Sequence, residues 1–421
     1  MKVLFKSVKV VDKHSKWHNQ QVDVLISAGK VEKIAKKIAV SNIKSYEFKN
    51  ACISPGFVDM NANVPDPGME HREDLNSGLA AAAAGGFTKV ALMPQQYPTV
   101  QDKSGVEFIK SKTEKNICQP IIIGAMSRNR EGKEMTEMYD MQQAGAIAFS
   151  DADKSVQDAG LMARCLLYAK GINSFIMSFA EDHSLSQGAK MNEGVMSTLL
   201  GMKGNPSLSE ELMIARDLYI AEYQNAKIHF SNISSARSIE LIKAAKKKGI
   251  QVTSDVAIHH LCYDETALED FDTNFKLRPP LRTKADTNAL KAALKEGTVD
   301  AIASQHTPIE KEGKEVEFEV AKSGMISFQT FLPQMLSLVG KNINLEDLID
   351  AVTARPRAIF NIEQVKVEEG SVAEFCIYDT ETKWTFDEES NLSKSSNSNL
   401  LNQELKGTVL ALCANNQLKT F

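Results

Sequence analysis

The chain has 421 residues, 43% hydrophobic and 24% charged, enough to bury one large core and a smaller second one. A net charge of −5 and a pI near 6.0 give no basic footprint, which argues against a nucleic-acid partner. No apolar run approaches the ~18 residues of a membrane span, and the opening "MKVLFKSVKVVDKHS" lacks the apolar centre of a signal peptide. Six cysteines (Cys52, Cys118, Cys165, Cys262, Cys376, Cys413) are scattered with no Cys-x-x-Cys pair, as expected of reduced thiols in a cytoplasmic protein. Of eight histidines, only His259 and His260 are close neighbours.

Residues 1 to about 53 read as β, in the short β-branched runs "KVLFKSVKVVD", "QVDVLISAGKVEKI" and "SYEFKNACISP". From Pro55 the pattern changes to short apolar runs alternating with helical periodicity. Eight candidate strands follow: "GFVDMNA", "FTKVALM", "QPIIIGAM", "AIAFSD", "SFIMSFA", "KIHFSNI", "QVTSDVAI" and "DAIASQH". Amphipathic segments lie between them, among them "LMARCLLYAKG", "ELMIARDLYIAEYQ" and "NALKAALKEG", most ending at Gly or Lys as helix C-termini do. Eight such alternations predict an α/β fold, a (β/α)8 barrel over residues 55–360. An open doubly wound sheet is the alternative, but no Gly-rich dinucleotide loop supports it. After Asn361, "EGSVAEFCIYD" and "KGTVLALCANNQLKTF" are again β-like, separated by the polar loop "DEESNLSKSSNSNLLNQ". Segments 1–54 and 361–421 are therefore expected to pair into one small β-sandwich domain.

Barrel enzymes carry their chemistry at the C-terminal ends of the strands. Those ends hold Asn61 and Asn63, Pro94-Gln95, Asp151 and Asp153, Phe179 with Glu181-Asp182, Asn232, His259-His260 and Gln305-His306. Asn61 and Asn63 are two residues apart, hence expected on one side of an extended chain. Histidines there would suggest a metal site.

At these residues the chain resembles the dihydroorotases, cyclic amidohydrolases of pyrimidine synthesis with a metal-dependent barrel. "PGFVDMNANVPDPGMEHREDLNSGLAAAAAGGFTKVALMPQQYP" follows that family's first two βα units. "AFSDADKSVQDAGLM", "AEDHSL", "NEGVMSTLLG", "ISSARSIELI", "RPPLR", "EGSVAEFCIYD" and "SKSSNSN" continue the likeness over essentially the whole chain. The resemblance implies a zinc centre, but its His-x-His pair falls on Asn61 and Asn63, and two further histidines fall on Phe179 and Asn232. The family's catalytic aspartate falls on Gln305, and the Asp-Asp-Gly region survives in part as Asp151-Ala152-Asp153. The substrate arginine and two substrate asparagines fall on Pro65, Gln95 and Arg278.

Catalytic zinc takes about three N, O or S ligands and an open water position. Amides are weak donors, Phe179 offers no lone pair, and neutral Gln305 can neither take nor give a proton. No cofactor is therefore expected.

Blander readings stand beside these. The three asparagines could simply hydrogen-bond one another or water, and Phe179 could fill space vacated by a metal. His260 and His306 could be a surviving acid–base pair or core histidines. Glu181-Asp182 could bind a cation, or cap and pair locally. Lys243–Gly249 could be an anion patch or a solvated helix end. Three functions remain in view: a non-catalytic dihydroorotase-like subunit, which the resemblance implies would self-associate and assemble with aspartate carbamoyltransferase; an active cyclic amidohydrolase using Asp151, Asp153, His260 and His306; and a small-molecule sensor, against which Pro65 and Gln95 argue.

Overall fold

The computed structural model describes residues 1–340 and 342–421. Eight parallel strands follow one another in sheet order: β1 (Phe57–Ala62), β2 (Phe87–Leu92), β3 (Gln119–Gly124), β4 (Ala148–Phe149), β5 (Ile176–Ser178), β6 (Ile228–Phe230), β7 (Val252–Ala257) and β8 (Ala301–Ala303). They are almost continuously buried, as strands covered on both faces must be. The order closes on itself just beyond β8. Gln305 N–H donates to Asn61 O (3.0 Å), Asn63 N–H donates to His306 O (2.8 Å), and Ser304 N–H donates to the Asp59 carboxylate (2.7 Å). The expected barrel is the fold.

Capping explains where the outer helices begin. Asp74 accepts from Asn76 N and Ser77 N to start the helix Leu75–Ala84, and Thr283 forms a capping box with Asp286 at Lys284–Glu296. Gly297 ends the latter in the left-handed region at φ 77°, where a side chain would be strained. The alanine run Ala80–Ala84 lies in the first of these helices, with Ala81, Ala82 and Ala83 buried, so small side chains permit a close approach to the barrel. The basic run at Lys243–Gly249 is a helix end, two of whose lysines pair with acids: Lys243 with Glu296 (2.6 Å) and Lys246 with Asp300 (2.7 Å).

The two termini meet in one mixed sheet. Phe375–Phe386 runs antiparallel to Ala51–Pro55, with Ile377 opposite Ile53, and Ala51–Pro55 runs parallel to Lys2–Val10. This sheet closes over its own apolar cluster, which includes Val3, Phe5, Val24, Ile53, Phe375 and Ile377. Beneath the barrel, Phe57, Phe87 and Phe331 pack with ring centroids 4.9–6.4 Å apart, and Tyr378 of the terminal sheet lies 6.3 Å from Phe57. That end is built for stability, which leaves the opposite mouth for function.

Candidate functional site

A cavity of about 290 Å³ opens at the C-terminal ends of the strands. Asn61, Gln95, Asp153, Phe179, Asn232, Arg278 and Gln305 line it, with Thr307 and the segment Lys322–Gly324. Seven of the residues singled out in the sequence thus converge. Ala152, Asn232 and Gln305 all hold left-handed backbone, at φ 56°, 55° and 52°. That conformation suits asparagine better than alanine or glutamine, and such backbone strain concentrates at functional sites.

The side chains are committed to one another. Arg278 forms a two-pronged ion pair with Glu181 (Nη2 to Oε1 2.6 Å, Nε to Oε2 3.3 Å). Its guanidinium lies 5.4 Å from the centre of the Phe179 ring, a cation–π distance. Gln305 Nε2 donates to the Arg278 carbonyl at 2.7 Å. Asp153 accepts from Arg130 Nη1 at 2.6 Å. Desolvation pushes its carboxyl up, but the charges of Arg130 and Arg278 outweigh this and hold it below the usual carboxylate range.

The structure corrects several expectations. The asparagines do not hydrogen-bond one another: Oδ1 of Asn63 and of Asn232, and Oε1 of Gln305, are buried without a protein partner. Asn61 lines the cavity and Asn63 does not, because the register breaks between Asp59 and Ala62 and ends the two-residue alternation. Asp151 faces inward, accepting from the N–H groups of Met126 (3.1 Å) and Ser127 (2.9 Å) and from the Ser127 hydroxyl, and burial raises its pKa. Pro65 is buried outside the lining.

Neither histidine of the suggested acid–base pair reaches the cavity. His260 Nε2 donates to the carbonyls of Pro279 (3.1 Å) and Pro280 (3.3 Å), and burial lowers its pKa to about 4. His306 stacks on Phe328 at 3.9 Å, its Nδ1 accepts the Ser327 N–H (3.1 Å), and burial lowers its pKa despite nearby Glu73. Both are core histidines. Asp182 caps the short helix His183–Ser186, so the Glu181-Asp182 pair is used for capping and ion pairing.

Some residues that hold the site and its surroundings in place escaped the sequence reading. Arg130 lies 23 positions before Asp153 and reaches it only through the fold. Arg282, the second arginine of "RPPLR", is buried and donates to Asn192 Oδ1 (2.9 Å) and Asn205 O (2.6 Å), fixing the ribbon Met191–Asn192 and Gly204–Asn205. The polar C-terminal loop folds onto the barrel, where Asn397 Nδ2 donates to Thr307 O (3.0 Å) and Gly324 O (3.1 Å). Its Ser/Asn density was the available signal.

A dihydro-orotase-like family model matches residues 51–238. The chain is 34% identical over 414 residues to a dihydroorotase of Pelobacter propionicus, covering 98% of this chain and 97% of the relative. It is 37% identical to a dihydroorotase of Geobacter metallireducens over 411 residues, 97% and 96% of the two chains. The chain belongs to the dihydroorotase family. The fold likeness extends to solved hydantoinases. An L-hydantoinase (dihydropyrimidinase) from Arthrobacter aurescens superposes with a TM-score of 0.88 at 20% identity, over 100% of this chain and 97% of that one. A D-hydantoinase gives 0.82 at 20%, over 99% and 95%.

The family's metal can be tested against these side chains. Zinc favours thiolate, imidazole and carboxylate donors. The cavity offers four neutral amides at Asn61, Gln95, Asn232 and Gln305, the hydrocarbon ring of Phe179, and one carboxylate already held by Arg130. Among the described residues, no group of three or more His, Cys, Asp or Glu is placed to hold a metal ion. The donor set does not fit a zinc centre.

Proposed function

We propose that this chain is a non-catalytic dihydroorotase-like protein of pyrimidine biosynthesis, acting in the cytoplasm as a structural or regulatory subunit with aspartate carbamoyltransferase. The observation that carries this reading is the chemistry of the strand ends. Ring opening of a cyclic amide needs a water made nucleophilic and a proton delivered to the leaving nitrogen. Amides do neither, and the Asp153 carboxylate, lowered by its arginines, is a poor base. Arg278 and Phe179 line the cavity, and the arginine's charge is already engaged by Glu181. The reading of an active cyclic amidohydrolase has less support, since of Asp151, Asp153, His260 and His306 only Asp153 lines the cavity. An intact fold with altered chemistry suits a role carried by surfaces rather than by turnover.

The test is co-purification from native extract, then sizing of the mixed proteins with carbamoyltransferase activity and stability measured with and without this chain. A joint peak and a steadier transferase are expected. Separate elution at micromolar concentration with an unaffected transferase overturns the subunit role. Dihydroorotate turnover by the chain alone overturns its inertness.

A further inference from the structure

Beside the barrel mouth lies a larger cavity, of about 740 Å³, walled by the loops that follow β5, β7 and β8. It adjoins the first along Leu277, Arg278, Lys322 and Ser323. Lys190, Lys276, Arg278 and Lys322 line it, against two carboxylates, Glu181 and Glu319. Arg278 is engaged by Glu181 and Lys322 by Glu310. Among the described residues, neither Lys190 nor Lys276 has an ion-pair partner.

These two lysines sit close enough for their charges to repel. Lys276 is 7% exposed, and its ammonium donates to the carbonyls of Phe318 and Glu319. Burial, then the charge of Lys190, lowers its pKa from 10.5 to about 8, although Glu319 pulls the other way. Lys314 adds a third ammonium that acts on the same group. It donates to Thr273 O at 2.7 Å, and burial lowers its pKa to about 7, with Asp272 opposing and Lys276 adding to the shift. At the rim, Lys203 donates to Gln187 O. Carbonyl dipoles stabilise such ammonium groups only in part, and an anion placed between them removes the repulsion.

The chemistry of the cations selects the anion. Arginine matches planar carboxylates with its fork, whereas an ammonium acts as a point charge and suits a compact dianion such as phosphate. The Arg278 guanidinium is already taken by Glu181, which leaves ammonium groups to receive a ligand. Loops after the seventh and eighth strands are also where (β/α)8 barrels frequently hold phosphate. The volume falls in the range of small-molecule sites, and Met191, Leu277 and Val320 offer apolar wall to an attached organic group. We propose that this chain binds the phosphate monoester of a small metabolite between the loops after β5, β7 and β8, its phosphate held by Lys190 and Lys276. The site does not depend on whether the barrel mouth is inert.

Ribose 5-phosphate titrated into the full chain and followed by phosphorus NMR should bind saturably, one per chain, with a Kd of about 0.1–1 mM. Inorganic phosphate should compete, and ribose should not. Lys276 also anchors the Phe318 and Glu319 carbonyls, so Lys190 carries the test. Lys190→Gln should weaken binding about fivefold or more with an unchanged melting curve. Lys243→Gln, which removes the same charge from the helix Ala236–Lys247, should leave binding as it is. Absence of saturable binding up to about 10 mM ribose 5-phosphate overturns the inference. So does equal weakening by Lys190→Gln and Lys243→Gln, the mark of a general charge effect, or competition by ribose as strong as by phosphate.

Discussion

Asp59 sits on β1 at the seam where the barrel closes, wholly buried, and accepts from both the N–H and the hydroxyl of Ser304. Burial raises its pKa from 3.8 to about 7, although the hydrogen bonds from Ser304 and Asn61 pull the other way. The folded chain therefore holds this proton more tightly than the unfolded chain does. As pH rises from 3.8 to about 7, the unfolded state loses the proton first, so this group's contribution to stability falls across that window and stays low above it. About three units at 1.36 kcal/mol each set a ceiling near 4 kcal/mol, and relaxation around the charge reduces it to about 2–4 kcal/mol. Asp59→Asn keeps the shape and the acceptor for Ser304 N–H but carries no charge. The stability of the variant relative to wild type should therefore rise by about 2–4 kcal/mol between pH 4 and pH 8. Urea unfolding followed by tryptophan fluorescence at a series of pH values measures this. Parallel curves for the two proteins would refute the reasoning.

Other outcomes follow from the site. Asn61→His or Gln305→Asp alone should yield no dihydroorotate hydrolysis, because groups that act as a unit are strongly non-additive; carbamoyl aspartate release above background by either variant would contradict this. Protein purified without chelator should hold zinc far below one per chain by elemental analysis, whereas near-stoichiometric zinc lost on replacing Asp153 would show that the donor set has been misjudged. Arg278→Met should cost about 1–2 kcal/mol in urea, less than for a fully buried pair because the arginine side chain is 37% exposed. Adding Glu181→Gln should recover part of that loss, and simple additivity would show that the pair carries no coupling.

The sequence by itself determined the barrel. Each βα unit buries its strand and one helix face through local periodicity, and caps such as Asp74 and Thr283 lie within three residues of what they cap. It also determined which residue types stand at the strand ends, because a (β/α)8 fold puts those ends at one mouth, and six of the residues singled out there do line one cavity. What it could not determine is where each side chain points and what holds it. Asn63 leaves the lining because of a register break at the end of β1. Asp151 and Asp153, two residues apart, part company, one anchoring the Met126-Ser127 turn and the other reaching Arg130. His260 and His306 look the same in sequence whether they face a ligand or a core, and only packing against Pro279, Pro280 and Phe328 decides. The Glu181–Arg278 pair spans 97 residues, and Asn397 reaches Thr307 across 90. Contacts of that length are set by how the whole barrel closes, which no local pattern encodes.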